Sequence, residues 1–310
     1  MRVLFIAGYV RSGSTMLSLM LGDLEPFFSL GEMSAMVYGP ETSLSDLCMC
    51  TQPIRECEFW TEVWGAAFPG VGVRRRAKLG SQLRREALIR SRLLGGGREA
   101  TDLGGEPGAS ARRDMLHLYE AAATRSGGRI LVDSSKTPAH GFMLQSAGLA
   151  DMRVIHLVRN PCAVIHSQSR SKARPETGAE TKLVPRRNLM RSVLGWTKAN
   201  ILAERLSSAS SRSVRVRYED VVSQPEEALI AIRKLADVPV SEAQREPGQS
   251  ELPTGRVSRH DIAGNPARVG WRDYEQSVAP DMQWQESMPP LRRGLVTVLT
   301  YPMLRRYKYL

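Results

Sequence analysis

The chain has 310 residues, 42% of them hydrophobic, which allows a sizeable core in one large domain or two small ones. Lys and Arg total 43 against 32 acids, and the net charge of +11 favours an anionic partner: a nucleotide, a nucleic acid or an acidic membrane. No stretch stays apolar for the ~18 residues of a membrane span, the N-terminus lacks a signal-peptide pattern, and four cysteines are too few for a disulfide scaffold. A soluble cytoplasmic enzyme is therefore the expectation.

The first twenty residues organise the rest. Val3 to Ala7 is a short apolar run of the kind that makes a strand buried on both faces. Gly8-Tyr9-Val10-Arg11-Ser12-Gly13-Ser14-Thr15 follows, and Met16, Leu19 and Met20 then recur at helical spacing. A helix beginning near Ser14 points its free N–H groups and positive dipole end into the loop, which makes an anion site. Gly8 and Gly13 have the spacing of a Walker A loop, but Ser14 stands where its lysine would be, and Arg11 lies inside the loop instead. The pattern argues for a bound phosphate or sulfate and against a kinase or NTPase.

Gly31-Glu32 follows in an apolar neighbourhood, where Glu32 is either a helix-start acid or a base in a partly dry cleft. Cys48, Cys50 and Cys57 could ligate zinc, but no fourth Cys or His stands at ligand spacing nearby. Local packing or one disulfide is the expectation there, with Phe59, Trp60 and Trp64 packed in the core or beside a cleft. Arg74 to Arg92 reads as a basic amphipathic helix, either solvated or facing an acidic acceptor or lipid. Gly95 to Ser110 reads as a flexible loop, and residues 71–113 as a variable insertion in one domain spanning 1–310. Asp114 to Arg125 reads as a helix stopped by Gly127-Gly128.

Arg129 to Val132 is a second buried strand that runs into Asp133-Ser134-Ser135-Lys136. Polar residues at the C-terminal edge of a parallel strand lie where open α/β sheets hold ligands, so Lys136 is an anion contact or a plain surface lysine. His140, just past Pro138, is a proton acceptor or a structural histidine. Met152 to Val158 is a third strand closed by Arg159, after which Asn160 and Pro161 give N-cap and first-turn chemistry. Ser167 lies two helical turns beyond Asn160 on the same face, so Arg159 and Ser167 can converge on one phosphate. A strand-capping arginine in a salt bridge is the alternative.

Asn188 to Ala209 reads as a long helix with Leu194, Ile201, Leu202 and Leu206 inward, and Val214 to Tyr218 as a fourth strand. Pro225 opens a further helix through Leu235. Pro239 to Asn265 reads as loop, and His260 to Arg268 has turn chemistry beside a fixed cation, which suits a lid over an anionic ligand. A last helix spans about Pro290 to Leu304. Strands alternating with helices give an α/β fold with a mostly parallel central sheet flanked by helices.

Together these residues resemble the sulfotransferases that use 3′-phosphoadenosine 5′-phosphosulfate (PAPS). Tyr9 to Thr15 is similar to their 5′-phosphosulfate loop, and Val158 to Val164 with Ser167 to their 3′-phosphate motif. Val216 to Asp220 resembles the strand whose tyrosine, here Tyr218, lies by the adenine. Gly264-Asn265-Pro266 with Arg268 resembles the C-terminal cofactor loop of bacterial members, and the Cys48 to Trp60 stretch is similar to one in that branch. The resemblance implies a P-loop-like sulfotransferase architecture. It implies PAPS as donor, released as 3′,5′-ADP, held by Arg11, Ser12, Gly13, Ser14, Thr15, Arg159, Ser167, Tyr218, Gly264, Asn265 and Arg268. Glu32 matches the glycine-glutamate that supplies the base in tyrosylprotein and bacterial trehalose sulfotransferases, with Arg11 and Lys136 stabilising developing charge. In the cytosolic aryl and steroid group the catalytic histidine lies two residues after the second-strand lysine; here that position is Pro138.

The reading implies no required metal, no nucleic-acid partner, and an acceptor hydroxyl on a small molecule, glycan or lipid. The rivals are a P-loop kinase-like phosphotransferase, which lacks its lysine and a clear magnesium carboxylate, and a basic nucleic-acid or membrane-binding protein. The latter leaves two strand-edge anion motifs unexplained.

Overall fold

A computed structural model describes residues 1–38, 47–70, 105–169, 173–174, 182–183, 188–240, 259–262 and 281–310. Its centre is a five-stranded sheet of β1 (Arg2–Gly8), β2 (Phe27–Gly31), β3 (Ile130–Lys136), β4 (Asp151–Val158) and β7 (Ser213–Arg217), in the order β2-β3-β1-β4-β7 with every pair parallel. The short pair β5 (Ala173–Arg174) and β6 (Lys182–Leu183) stands apart as a two-stranded antiparallel sheet.

The apolar runs read from the sequence are buried on both faces because helices cover both. On β1, Val3, Phe5 and Ala7 enter one core cluster and Leu4 and Ile6 the other. The first cluster is closed by α3 (Glu58–Ala67), α4 (Gly105–Arg125), α5 (Pro138–Ser146) and α7 (Leu189–Ala209), through Trp60, Tyr119, Met143 and Leu206. The second is closed by α1 (Ser14–Gly22), α8 (Tyr218–Ser223) and α9 (Pro225–Leu235), through Leu17, Val221 and Ile232. Each such side chain contributes ~1.5–3 kcal/mol of burial, so the central strand is fixed from two sides. The remaining helices are α2 (Met33–Tyr38), α6 (Pro161–Ser169), α10 (Gln283–Ser287) and α11 (Pro290–Arg306). No helix among the described residues is long and apolar enough to cross a membrane.

The chain leaves β1 toward β2 and β3, then passes to β4 and β7 on the other side. The direction of winding therefore reverses between β1 and β4, the place where open parallel sheets form a ligand crevice.

Several expectations need correction. The sheet has a strand, β2, that the sequence reading passed over: five residues is little signal, although all five are buried. Helix α4 begins at Gly105, inside the stretch read as loop. On α7, Leu194 and Ile201 are exposed; Val193, Trp196, Asn200 and Ala203 set the buried face, because Trp196 has to reach the core beside Tyr307. Tyr218 opens α8 rather than ending β7. The basic 74–92 segment and the loop carrying Gly264, Asn265 and Arg268 lie outside the described residues.

Candidate active site

The sequence-predicted residues gather along the C-terminal edge of the sheet. Glu32 follows β2, Lys136 ends β3, the 9–13 loop follows β1, Arg159 follows β4 and Tyr218 follows β7. Parallel register holds them level: Ala7 pairs with Lys136, Gly8 with Leu157, and Val158 with Arg217.

The loop closes on itself through Ser12 N–H donating to the Tyr9 carbonyl at 3.2 Å, and Gly13 caps α1 at φ 93°. A Cβ on Gly13 would stand 2.4 Å from Cδ2 of Tyr218. Glycine is needed there both for its backbone angle and for the aromatic ring pressed against it. That ring carries the Arg159 guanidinium, 4.2 Å above its centroid. Tyr218 thus buttresses the loop and the arginine together, a role that no motif signals.

Arg11 links Arg159 and Ser167. Arg159 Nη1 donates to the Arg11 carbonyl at 3.0 Å, and Arg11 Nε donates to Ser167 Oγ at 3.2 Å. The start of α6 is fixed by Asn160, whose Oδ1 accepts from Cys162 N–H at 2.9 Å and whose own N–H donates to Glu219 at 3.0 Å. Trp196 Nε1 donates to the Arg159 carbonyl at 3.1 Å. Arg159 is buried, and its Nε and Nη2, like Ser12 Oγ, make no hydrogen bond among the described residues. The carboxylate of Asp281 faces Nη2 at 3.3 Å as an ion pair. Buried guanidinium and hydroxyl donors left without acceptors are costly, so this corner suits an anion that supplies them.

At the other end, Glu32 and Lys136 form an ion pair that is mostly shielded from water. Gly31, at φ 73°, lets Ile262 approach so closely that a Cβ would meet its carbonyl oxygen at 2.3 Å. Ile262 N–H donates to the Leu30 carbonyl at 3.1 Å and Glu32 N–H to the Ile262 carbonyl at 2.7 Å, so a segment from the far end of the chain holds the Glu32 backbone.

Behind this pair runs a buried polar chain. Ser34 N–H donates to Ser135 Oγ at 2.9 Å, and Ser135 Oγ to Asp133 Oδ1 at 2.5 Å. Tyr119 OH donates to Asp133 Oδ2 at 2.5 Å and lies 2.9 Å from His140 Nε2. Burial would raise the Asp133 carboxyl, but His140, Ser135 and Tyr119 outweigh it and hold the group below its ordinary range. His140 is fully enclosed and spent on this network. Sequence reasoning also missed Asp281, which lies in no motif and matters only through what it touches.

The fold is that of an α/β protein with a wholly parallel five-stranded sheet, a glycine-bounded loop at its switch point and a buried arginine opposite. The model of the sulfotransferase family matches residues 4–242, and the chain belongs to that family. Among solved structures the chain is similar to the sulfotransferase STF9 from Mycobacterium avium, at 12% identity and a TM-score of 0.50 over 98% of this chain and 76% of that one. It is also similar to the sulfotransferase domain of the curacin biosynthetic pathway (20% identity, TM-score 0.47, 96% of each chain). A third likeness is to the sulfotransferase domain of the Synechococcus PCC 7002 olefin synthase (20% identity, TM-score 0.45, 98% of this chain and 94% of that one). The likeness to STF9 bears on the fold alone. Among curated proteins none matches.

Proposed function

We propose that the protein transfers a sulfuryl group from PAPS to an acceptor hydroxyl, with Glu32 as general base. The observation that carries this reading is the buried Arg159, whose Nε makes no hydrogen bond among the described residues and whose Nη2 meets only the Asp281 carboxylate, as an ion pair, beside a loop of phosphate-binding spacing without its lysine. Family membership supports the reaction class. PAPS supplies an activated sulfuryl group and a 3′-phosphate that distinguishes it from ordinary nucleotides.

Arg159 offers a guanidinium fork to that 3′-phosphate, and Ser167 a hydroxyl beside it. The loop N–H groups at the start of α1, with Arg11 and Lys136, stabilise negative charge on the departing 5′-phosphate, where positioning and electrostatics dominate over protein covalent chemistry. Glu32 takes the acceptor's proton as the new S–O bond forms, and Lys136 holds the carboxylate at the strand edge until then. As Lys136 turns to the departing oxygen, Glu32 is left to accept the proton. Gly264, Asn265 and Arg268 complete the nucleotide site in this reading.

The test is thermal stabilisation by 3′,5′-ADP against 5′-ADP and ATP in magnesium-free buffer, followed by a hydroxyl-acceptor screen with labelled PAPS. Stronger stabilisation by 3′,5′-ADP and label transfer are expected. Preference for ATP, or a strict magnesium requirement for nucleotide binding, overturns the reading in favour of a kinase-like phosphotransferase.

A further inference from the structure

We infer that Cys48, Cys50, Cys57 and His260 form a structural zinc site that fixes the acceptor-side corner of the molecule. The sequence offers three of these residues within ten positions and leaves the fourth more than two hundred residues away. The fold brings the His260 ring among the three sulfurs. Their four potential ligand atoms all lie within 4.8 Å of one another.

The separations are those of ligands around one ion. Cys57 Sγ is 3.6 Å from both Cys48 Sγ and Cys50 Sγ, and His260 Nδ1 is 3.2 Å from Cys57 Sγ and 3.8 Å from Cys48 Sγ. Tetrahedral zinc, with bonds of ~2.3 Å to sulfur and ~2.05 Å to nitrogen, places sulfurs about 3.8 Å apart and sulfur and nitrogen about 3.5 Å apart. A disulfide needs sulfurs at about 2.05 Å. All three cysteines are free thiols, and Cys57 stands near the other two equally, which is convergence on a point rather than pairing. The expectation of one disulfide is therefore replaced by a shared centre.

The ligand set decides the kind of metal and its role. Three thiolates and an imidazole, with no carboxylate, select zinc over magnesium or calcium. Four protein ligands leave no open position for water or substrate, so the site is structural. Binding converts the three thiols to thiolates and releases three protons to solvent; the neutral imidazole loses none.

Local structure places each ligand. Cys48 and Cys50 lie in a turn closed by Cys48 N–H donating to the Gln52 carbonyl at 2.8 Å and Thr51 N–H to the Cys48 carbonyl at 2.9 Å. Cys57 is the N-cap of α3, which fixes its backbone at the helix start. The His260 ring stacks on Phe59 at 4.8 Å and 8°, its carbonyl accepts from Trp60 Nε1 at 2.7 Å, and Met49 N–H donates to the Asp261 carbonyl at 3.1 Å. Two residues further on, Ile262 holds the backbone of Glu32. The metal thereby ties α3 to the segment that positions Glu32, and it does so whether or not Glu32 is a catalytic base.

The test is metal content of the full chain, expressed in zinc-replete medium and desalted, with cobalt substitution as a second readout. About one zinc per chain is expected, and the cobalt form should show the visible ligand-field and sulfur charge-transfer bands of a tetrahedral thiolate site. Cys50→Ser, which alters the partly exposed ligand, should lose most of the bound metal and the cobalt spectrum. Cys162→Ser, in a separate core cluster, should keep both. Substoichiometric metal in the wild type, a disulfide among the three cysteines by mass spectrometry, or full metal retention in Cys50→Ser overturns the proposal. Should Cys50→Ser fail to fold, the wild-type zinc content and cobalt spectrum still decide. None of these readouts depends on sulfuryl transfer, so failure of the proposed activity leaves the result intact.

Discussion

The two ends of the sheet edge are built in opposite ways. The end around Arg159 comes from short contiguous motifs, each a strand followed at once by a helix, set on either side of the reversal between β1 and β4. The end around Glu32 is assembled from pieces far apart in the chain: β2, the cysteine turn, and the 259–262 segment bridged to Gly31. An anion site can be made locally, because a helix N-terminus and a nearby arginine already supply donors and charge. A carboxylate–lysine pair shielded from water, as Glu32 and Lys136 are, needs a partly dry corner, and dryness comes only from tertiary packing.

The largest difference between the two ends is expected at Glu32. Glu32→Gln should lower kcat by ~10²–10⁴, the usual contribution of a positioned base, and leave 3′,5′-ADP affinity unchanged by calorimetry. Equal losses in rate and nucleotide affinity would merge the two ends into one site.

A large effect should also appear in the brace behind Arg159. His156 lies on β4 with Nε2 at 3.0 Å from Asn200 Oδ1, on the same helix whose Trp196 holds the Arg159 carbonyl. Burial pushes the His156 imidazole down from 6.5 to about 4. Between those values the unfolded chain takes up a proton that the folded chain refuses. The stability it contributes is complete above pH 6.5 and is lost as pH falls toward 4, by up to ~3 kcal/mol. Urea unfolding across this window should show the loss in wild type and a flatter profile in His156→Gln. Identical profiles would remove His156 from the account.

Arg159→Ala should weaken 3′,5′-ADP binding by ~2 kcal/mol, about 30-fold, and leave adenosine 5′-phosphosulfate nearly unaffected, since that ligand lacks the 3′-phosphate. Equal losses for both ligands would make Arg159 a support of the loop, through its bond to the Arg11 carbonyl, and nothing more. Smallest is Ser167→Ala, which removes the hydroxyl that accepts from Arg11 Nε; about 1 kcal/mol, or ~5-fold, in 3′,5′-ADP affinity is expected.

Where the sequence was legible, local physics was sufficient. The run Val3 to Ala7 could only be a strand covered on both sides, Ser14 had to start a helix, and Asn160-Pro161 had to start another. From these the parallel α/β sheet followed, whereas the contact of Ser167 with Arg11 of the loop did not. Residues with two local readings stayed open: Lys136 could be a surface lysine until β3 was seen to end level with Ala7 and to meet Glu32. His140 could be a base until Tyr119 and Asp133 were found around it.

Adjacent residues were enough for the glycine-bounded loop after β1, for the buried runs of β1, β3 and β4, and for the family, because in each the backbone and side-chain preferences agree. The edge strand β2, the Glu32–Lys136 pair, the stacking of Tyr218 between Gly13 and Arg159, and the arrival of His260 among three cysteines had to wait for the folded chain. The physical reason is the same for all four. Each is a contact between residues distant in the chain, set by burial and register rather than by local preference. In the sequence, Cys48, Cys50 and Cys57 without a nearby fourth Cys or His favoured packing or a disulfide; His260 comes among them only because the 259–262 segment pairs along Leu30 to Glu32.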